Sequence, residues 1–141
     1  MKMPSYDRKS TLPVDVVIAD IKAAMSENSP IRIEKRKIIY HGELVKICTL
    51  RLQTFAIRGL ICKCGLQASY FALERHHVSK NGVYHLNLWG VNEIGEEILF
   101  THDHVLARSL GGKDEIENTT TMCTICNFEK SLIEANQQKP K

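Results

Sequence analysis

The 141-residue sequence predicts an α+β fold, and three observations carry that expectation. Apolar residues at Val14, Val17, Ile18, Ile21 and Met25 recur at helical spacing. Tyr84, Leu86 and Leu88 alternate with His85, Asn87 and Trp89, as in a strand with one buried face. Four of the five cysteines form two close pairs, Cys62 with Cys64 and Cys123 with Cys126, a spacing that points to a metal holding distant segments together. A composition of 43% hydrophobic and 25% charged residues is that of a globular chain and excludes disorder, a coiled coil or a fibrous repeat. No apolar run approaches the ~18 residues of a membrane span, and Met1–Ser5 lacks the apolar stretch of a signal peptide. A cytoplasmic protein is expected.

Residues 1–12 show no periodicity and read as a mobile arm. From Pro13 the helical pattern runs through Met25, with Pro13 and Asp15 at the start, and Glu27-Asn28-Ser29-Pro30 ends it. Ile31 to Tyr40, the turn at His41-Gly42, and Glu43 to Cys48 read as a β-hairpin. Thr49 to Arg58 places Leu52, Phe55 and Ala56 on one side of a helix and Arg51, Thr54 and Arg58 on the other, with Gly59 as terminator, so a basic outward face is expected. Cys62 and Cys64 lie in a knuckle. A strand follows around Tyr70–Glu74, then a turn at Asn81-Gly82 and a second strand over Tyr84–Trp89. Glu97–Val105 reads as a strand pair or a strand and turn, Gly111-Gly112 as a loop, and Ile125–Ala135 as a closing helix. The expected organisation is a basic helix, hairpin and helix region over 1–60, a zinc-stabilised domain over 61–135, and a polar tail over 136–141.

A net charge of +3 hides an asymmetry, because residues 1–60 carry +5 and residues 61–141 carry −2. The run Arg32, Lys35, Arg36 and Lys37, together with Arg51 and Arg58, offers enough cations to grip several phosphates. Zinc takes four thiolates tetrahedrally, and Cys62, Cys64, Cys123 and Cys126 supply four. Cys48 reads as a buried apolar side chain. His41, His76, His77, His85 and Trp89 read as structural or exposed.

The stretch Asp103-His104, Gly111-Gly112, Asn118, Cys123-Thr124-Ile125-Cys126-Asn127 and Lys130 resembles the HNH endonuclease family, most of all the small HNH endonucleases of phage genomes. The resemblance covers residues 61–131 and implies a ββα-metal unit with a structural zinc site. It implies that His104 is the general base, that Asp103 and Asn127 hold a catalytic magnesium or manganese ion, that Asn118 fixes the loop carrying the base, and that Lys130 faces a phosphate. The implied substrate is DNA, duplex in form, and for a phage-encoded protein the compartment is the host cytoplasm. The chemistry agrees with those residue types, since an imidazole titrates near neutral pH and can take a proton from water, and a carboxylate is a hard ligand for magnesium. Two departures are visible. Asn127 stands where the family name places a histidine, and Cys62 and Cys64 are separated by one residue where two are usual. The other expectation for such a chain is a zinc-stabilised DNA-binding or host-protein-binding regulator that has lost turnover. His102 is expected to face solvent.

Overall fold

The structure, a computed structural model, describes residues 6–77 and 82–138. It is a mixed helix and sheet fold. The elements are β1 (Tyr6–Pro13), α1 (Val14–Ser26), β2 (Lys37–Tyr40), β3 (Glu43–Lys46), α2 (Leu50–Arg58), β4 (Ala68–His76), β5 (His85–Val91), β6 (Glu97–His104), β7 (Thr119–Cys123) and α3 (Thr124–Gln138). Five antiparallel strands form one sheet in the order β1-β4-β5-β6-β7, and β2 with β3 forms a separate hairpin.

The largest correction falls on the expected arm. Residues from Tyr6 onward are a strand that pairs along β4, Tyr6 opposite His76 and Pro13 opposite Tyr70. The segment is polar, and its only deeply buried apolar residue is Leu12, so its strand state comes from the partner edge it covers. β1 joins the five-stranded sheet and α2 contacts β7, so residues 6–60 pack against the elements that follow them. Asn81 of the expected turn, and residues 139–141 of the expected tail, lie outside the described residues, while α3 continues through position 138.

Between the sheet and helices α1 and α2 lies the core, which includes Val17, Ile21, Leu52, Phe55, Phe71, Leu73, Leu86, Leu88 and Phe100. Full burial of each large side chain is worth roughly 1.5–3 kcal/mol. Thr49 caps α2 by accepting the Leu52 N–H at 3.3 Å, and Gly59 ends it with φ 104°. The β2–β3 turn uses His41 and Gly42 at φ 48° and 84°, the double positive φ of the two-residue turn that suits a right-twisted hairpin.

The expected basic outward face of α2 does not form. Thr54 is fully buried and bonds Thr119 Oγ1 at 2.8 Å, and Arg51 turns inward to donate to Leu86 O at 2.8 Å and Asn87 Oδ1 at 3.1 Å. Only Arg58 of the three is exposed, and it donates to Ile116 O. Arg36 likewise leaves the basic run. It is buried and donates to the carbonyls of Ala24, Ile31 and Ser29, pinning the end of α1 to the segment that follows.

β5 pairs with β6 only from Trp89 opposite Leu99 to Val91 opposite Glu97, and beyond Leu99 strand β6 pairs with β7 instead. The first half of β5 and the second half of β6 therefore part into a fork, and Arg51 of α2 bonds the β5 arm of it at Leu86 O and Asn87 Oδ1.

Candidate functional site

The β6–β7 pair and α3 build two polar centres. At one end, β7 closes on Cys123 and α3 brings Cys126 one turn later, while the loop before β4 brings Cys62 and Cys64. The four sulfurs lie within 4.8 Å of one another. Sulfurs bound about 2.3 Å from a tetrahedral zinc stand about 3.8 Å apart, and Cys64 Sγ and Cys123 Sγ are separated by 4.0 Å. The donor set and the spacing therefore fit one structural metal ion. Backbone N–H groups aim at the sulfurs, Cys123 N–H at Cys62 Sγ (3.3 Å) and Cys126 N–H at Cys123 Sγ (3.5 Å), as expected for thiolates. Burial pushes the Cys62 thiol up, but the N–H groups of Cys123 and Cys64 outweigh it and bring it down to about 7. Burial holds Cys123 and Cys126 above the usual thiol range. Cys48 is buried away from this cluster, against Ile21 O.

At the other end of the same strands, β6 closes on Asp103 and His104. Strand alternation sends the two side chains to opposite faces. His104 shares a face with His102, the ring centroids 5.7 Å apart, and Asp103 points toward α3. His104 Nε2 donates to Asp114 Oδ1 at 2.7 Å. Because a carboxylate accepts and does not donate, Nε2 is the ring nitrogen that carries a proton at this contact. Asp103 is paired with the Lys130 ammonium, which also donates to His104 O at 2.7 Å and lies 3.4 Å from Glu134. Burial lowers the Lys130 basicity, and the Asp103 and Glu134 carboxylates more than reverse this. His102 is half-buried, not at the solvent face; its Nδ1 is buried with no hydrogen-bond partner, and burial, then His104 and Arg51, depress its basicity.

Asn118 organises the loop between β6 and β7. Its Oδ1 accepts the Leu106 N–H at 2.8 Å, its Nδ2 donates to Leu106 O and Lys113 O at 3.0 Å each, and its own carbonyl accepts the Val105 N–H at 2.8 Å. The two glycines are required by this closure. Gly111 adopts φ 94°, and a Cβ at Gly112 would run into the Leu106 carbonyl. The folded-back loop is what delivers Asp114 to His104. Asn127, on α3 one turn before Lys130, is half-buried.

Residues 92–136 match the family model of the HNH endonucleases. The match spans about a third of the chain and contains β6, the Asn118 loop, β7 and most of α3, together with Cys123 and Cys126. Cys62, Cys64 and the whole basic region fall outside it. No curated protein and no solved structure matches the chain.

The matched segment and the basic residues meet only in part. Arg58 reaches the 3-10 turn before β7 through Ile116 O, and Arg51 lies close enough to His102 to influence its titration. Arg32, Lys35 and Lys37 are exposed around the β2 strand, with Arg32 paired to Glu34 at 2.6 Å. Asp114 escaped sequence reasoning, because nothing in Lys113-Asp114-Glu115 distinguishes it from a solvated acidic turn. The Gly111-Gly112 bend is the one signal that the chain returns toward the strand.

Proposed function

We propose that this chain is a metal-dependent HNH endonuclease that hydrolyses phosphodiester bonds in duplex DNA. The observation that carries the reading is the oriented His104–Asp114 pair at the end of β6, next to the Asp103 carboxylate, inside the segment that matches the HNH endonucleases. Asp114 fixes the tautomer and the angle of the ring, so Nδ1 accepts a proton from the water that attacks phosphorus. Asn118 and the two glycines hold the loop that keeps Asp114 in reach. Asp103 and Asn127 offer a carboxylate and an amide oxygen, a donor set suited to a hard cation, and Asp103 already attracts one cation in Lys130. A magnesium or manganese ion held there would supply positive charge to the phosphate and its leaving oxygen. On this reading Lys130 exchanges Asp103 for a phosphate oxygen when substrate and metal bind. The four cysteines hold a structural zinc, and exposed Arg32, Lys35, Lys37 and Arg58 contact the DNA backbone without reading its bases.

A second reading has a specific observation in its favour. Lys130 occupies Asp103 in the structure, which is what a DNA-binding or protein-binding regulator without turnover would also do. Incubation of plasmid DNA with the protein and magnesium or manganese separates the two. The nuclease gives nicked or linear product, and His104→Ala lowers the rate by about 10²–10⁴-fold while duplex binding persists. Duplex binding with no cleavage under any divalent ion supports the regulator, and undiminished cleavage by His104→Ala removes His104 as the base.

A further inference from the structure

The β2–β3 hairpin has two unlike faces. Tyr40 and Val45 are buried and Ile38 packs against the same core, so the inner face already anchors the ribbon. The pairing register sets Lys37 opposite Lys46 and Ile39 opposite Leu44, and strand alternation puts these four on the outer face, where all of them are exposed. Ile39 is 65% and Leu44 53% exposed. The outer face is therefore an apolar pair toward the His41-Gly42 tip and a pair of lysines behind it.

Nothing in the fold calls for this face. Like charges directly opposite each other on a ribbon oppose its pairing, and neither Lys37 nor Lys46 has an ion pair among the described residues. The acids of segment 31–47 are Glu34 and Glu43, and both are taken, Glu34 by Arg32 at 2.6 Å and Glu43 by Lys9 at 2.6 Å. Lys35, exposed just before β2, has no ion pair among the described residues either. Two cations held side by side next to two apolar side chains held in water fit an occupant that sets negative charge around an apolar edge. Duplex DNA does this, with phosphates flanking the base edges of its grooves. A two-stranded ribbon enters the major groove, about 12 Å wide, and is too broad for the minor groove at about 6 Å.

We propose that the β2–β3 ribbon lays its outer face in the major groove of duplex DNA. Lys37 and Lys46 reach phosphates, and Ile39 with Leu44 packs on base edges, where the thymine methyl is the apolar group on offer. The choice of DNA as occupant rests on the nuclease reading, and the ribbon adds to that reading a contact to bases that favours thymine-bearing sites. The contact does not depend on hydrolysis at His104.

The full-length, zinc-loaded chain, with no magnesium or manganese added, is titrated by fluorescence anisotropy against an alternating A·T duplex. The same duplex with deoxyuridine in place of thymidine, which lacks only the C5 methyl, is the comparison. Loss of the methyls is expected to weaken wild-type binding several-fold. The double variant Ile39→Thr with Leu44→Thr keeps strand-forming residues at both positions; it is expected to bind the thymine duplex about tenfold more weakly and to lose the distinction between the two duplexes. Lys46→Gln is expected to lower the slope of log affinity against log salt by about 0.9. Equal wild-type affinity for the two duplexes overturns the proposal and needs no variant. A folded double variant that binds as the wild type does also overturns it, as does hairpin-dependent binding to phosphatidylserine vesicles with duplex binding unchanged. Plasmid cleavage with magnesium, run on the same proteins, keeps the two readings apart. Cleavage together with hairpin-independent duplex binding removes the ribbon and leaves the nuclease standing, whereas methyl-dependent duplex binding without cleavage keeps the ribbon and removes the nuclease.

Discussion

The two ends of the β6–β7 pair carry polar centres built on opposite principles. At the Cys123 end, four sulfurs crowd within 4.8 Å with backbone N–H groups turned toward two of them, an arrangement of like donors suited to a cation. At the His104 end the two acid–base pairs are already made, Asp103 with Lys130 and His104 with Asp114, and Asn118 closes the loop, while the buried His102 Nδ1 has no partner among the described residues. The first end suits a metal ion, and the second already pairs its own charges. A centre that serves the fold can bind its ion permanently, whereas a centre that turns over must release substrate and ion, so internal partners that can be exchanged suit it.

The sharpest way to break this contrast is to disable each centre in turn. Stripping the cysteine site, or making Cys123→Ala, is expected to cost several kcal/mol and to lower the thermal midpoint by about 10 °C or more, with loss of bound zinc measured alongside. Asp103→Ala is expected to leave the midpoint within a few degrees. Equal losses at the two ends would erase the distinction.

A smaller effect is expected in the loop. Gly112→Ala places a methyl against the Leu106 carbonyl and disturbs the Asn118 closure, at about 1–3 kcal/mol in urea denaturation, and Asn118→Ala follows at about 1–2 kcal/mol. Both should lower cleavage by loosening Asp114. An Asn118→Ala protein with full stability and full activity would show that the loop needs no such closure.

Lys130→Met tests whether the second centre is held by an exchangeable partner. The Lys130–Asp103 pair is partly exposed and its loss should change stability by less than about 1 kcal/mol. Manganese binding in the absence of DNA, read from the free-ion resonance signal, should tighten because Asp103 is released. Weaker manganese binding would mean that Lys130 supports the ion site and does not compete for it.

The smallest effect concerns acid. His102 has its folded basicity pulled below the usual 6.5, so as pH falls the unfolded ring takes up a proton first. The stability contributed by the neutral buried ring is present above 6.5 and is lost as pH drops through the depressed folded value. His102→Gln should flatten the fall in stability just below pH 6.5, measured by denaturant midpoints at successive pH values. An identical slope in the variant would place the acid sensitivity elsewhere, with His85 the next group to test.

The sequence by itself determined the local parts. Helical spacing placed α1 and α2, the His41-Gly42 pair placed the hairpin turn, alternation placed β5, and two cysteine pairs announced a shared metal site, because each of these signals is written within a few residues of the element it specifies. Tertiary structure decided the rest, because the deciding partners lie far along the chain. Polar residues 6–13 became a strand only because β4 offers an unpaired edge some 60 residues later. Arg36 and Arg51 read as solvated cations until the carbonyls of Ala24, Ser29 and Ile31 and the β5 acceptors Leu86 O and Asn87 Oδ1 gave them something to bond. Asp114 became the partner of His104 only when two glycines folded its loop back onto the strand.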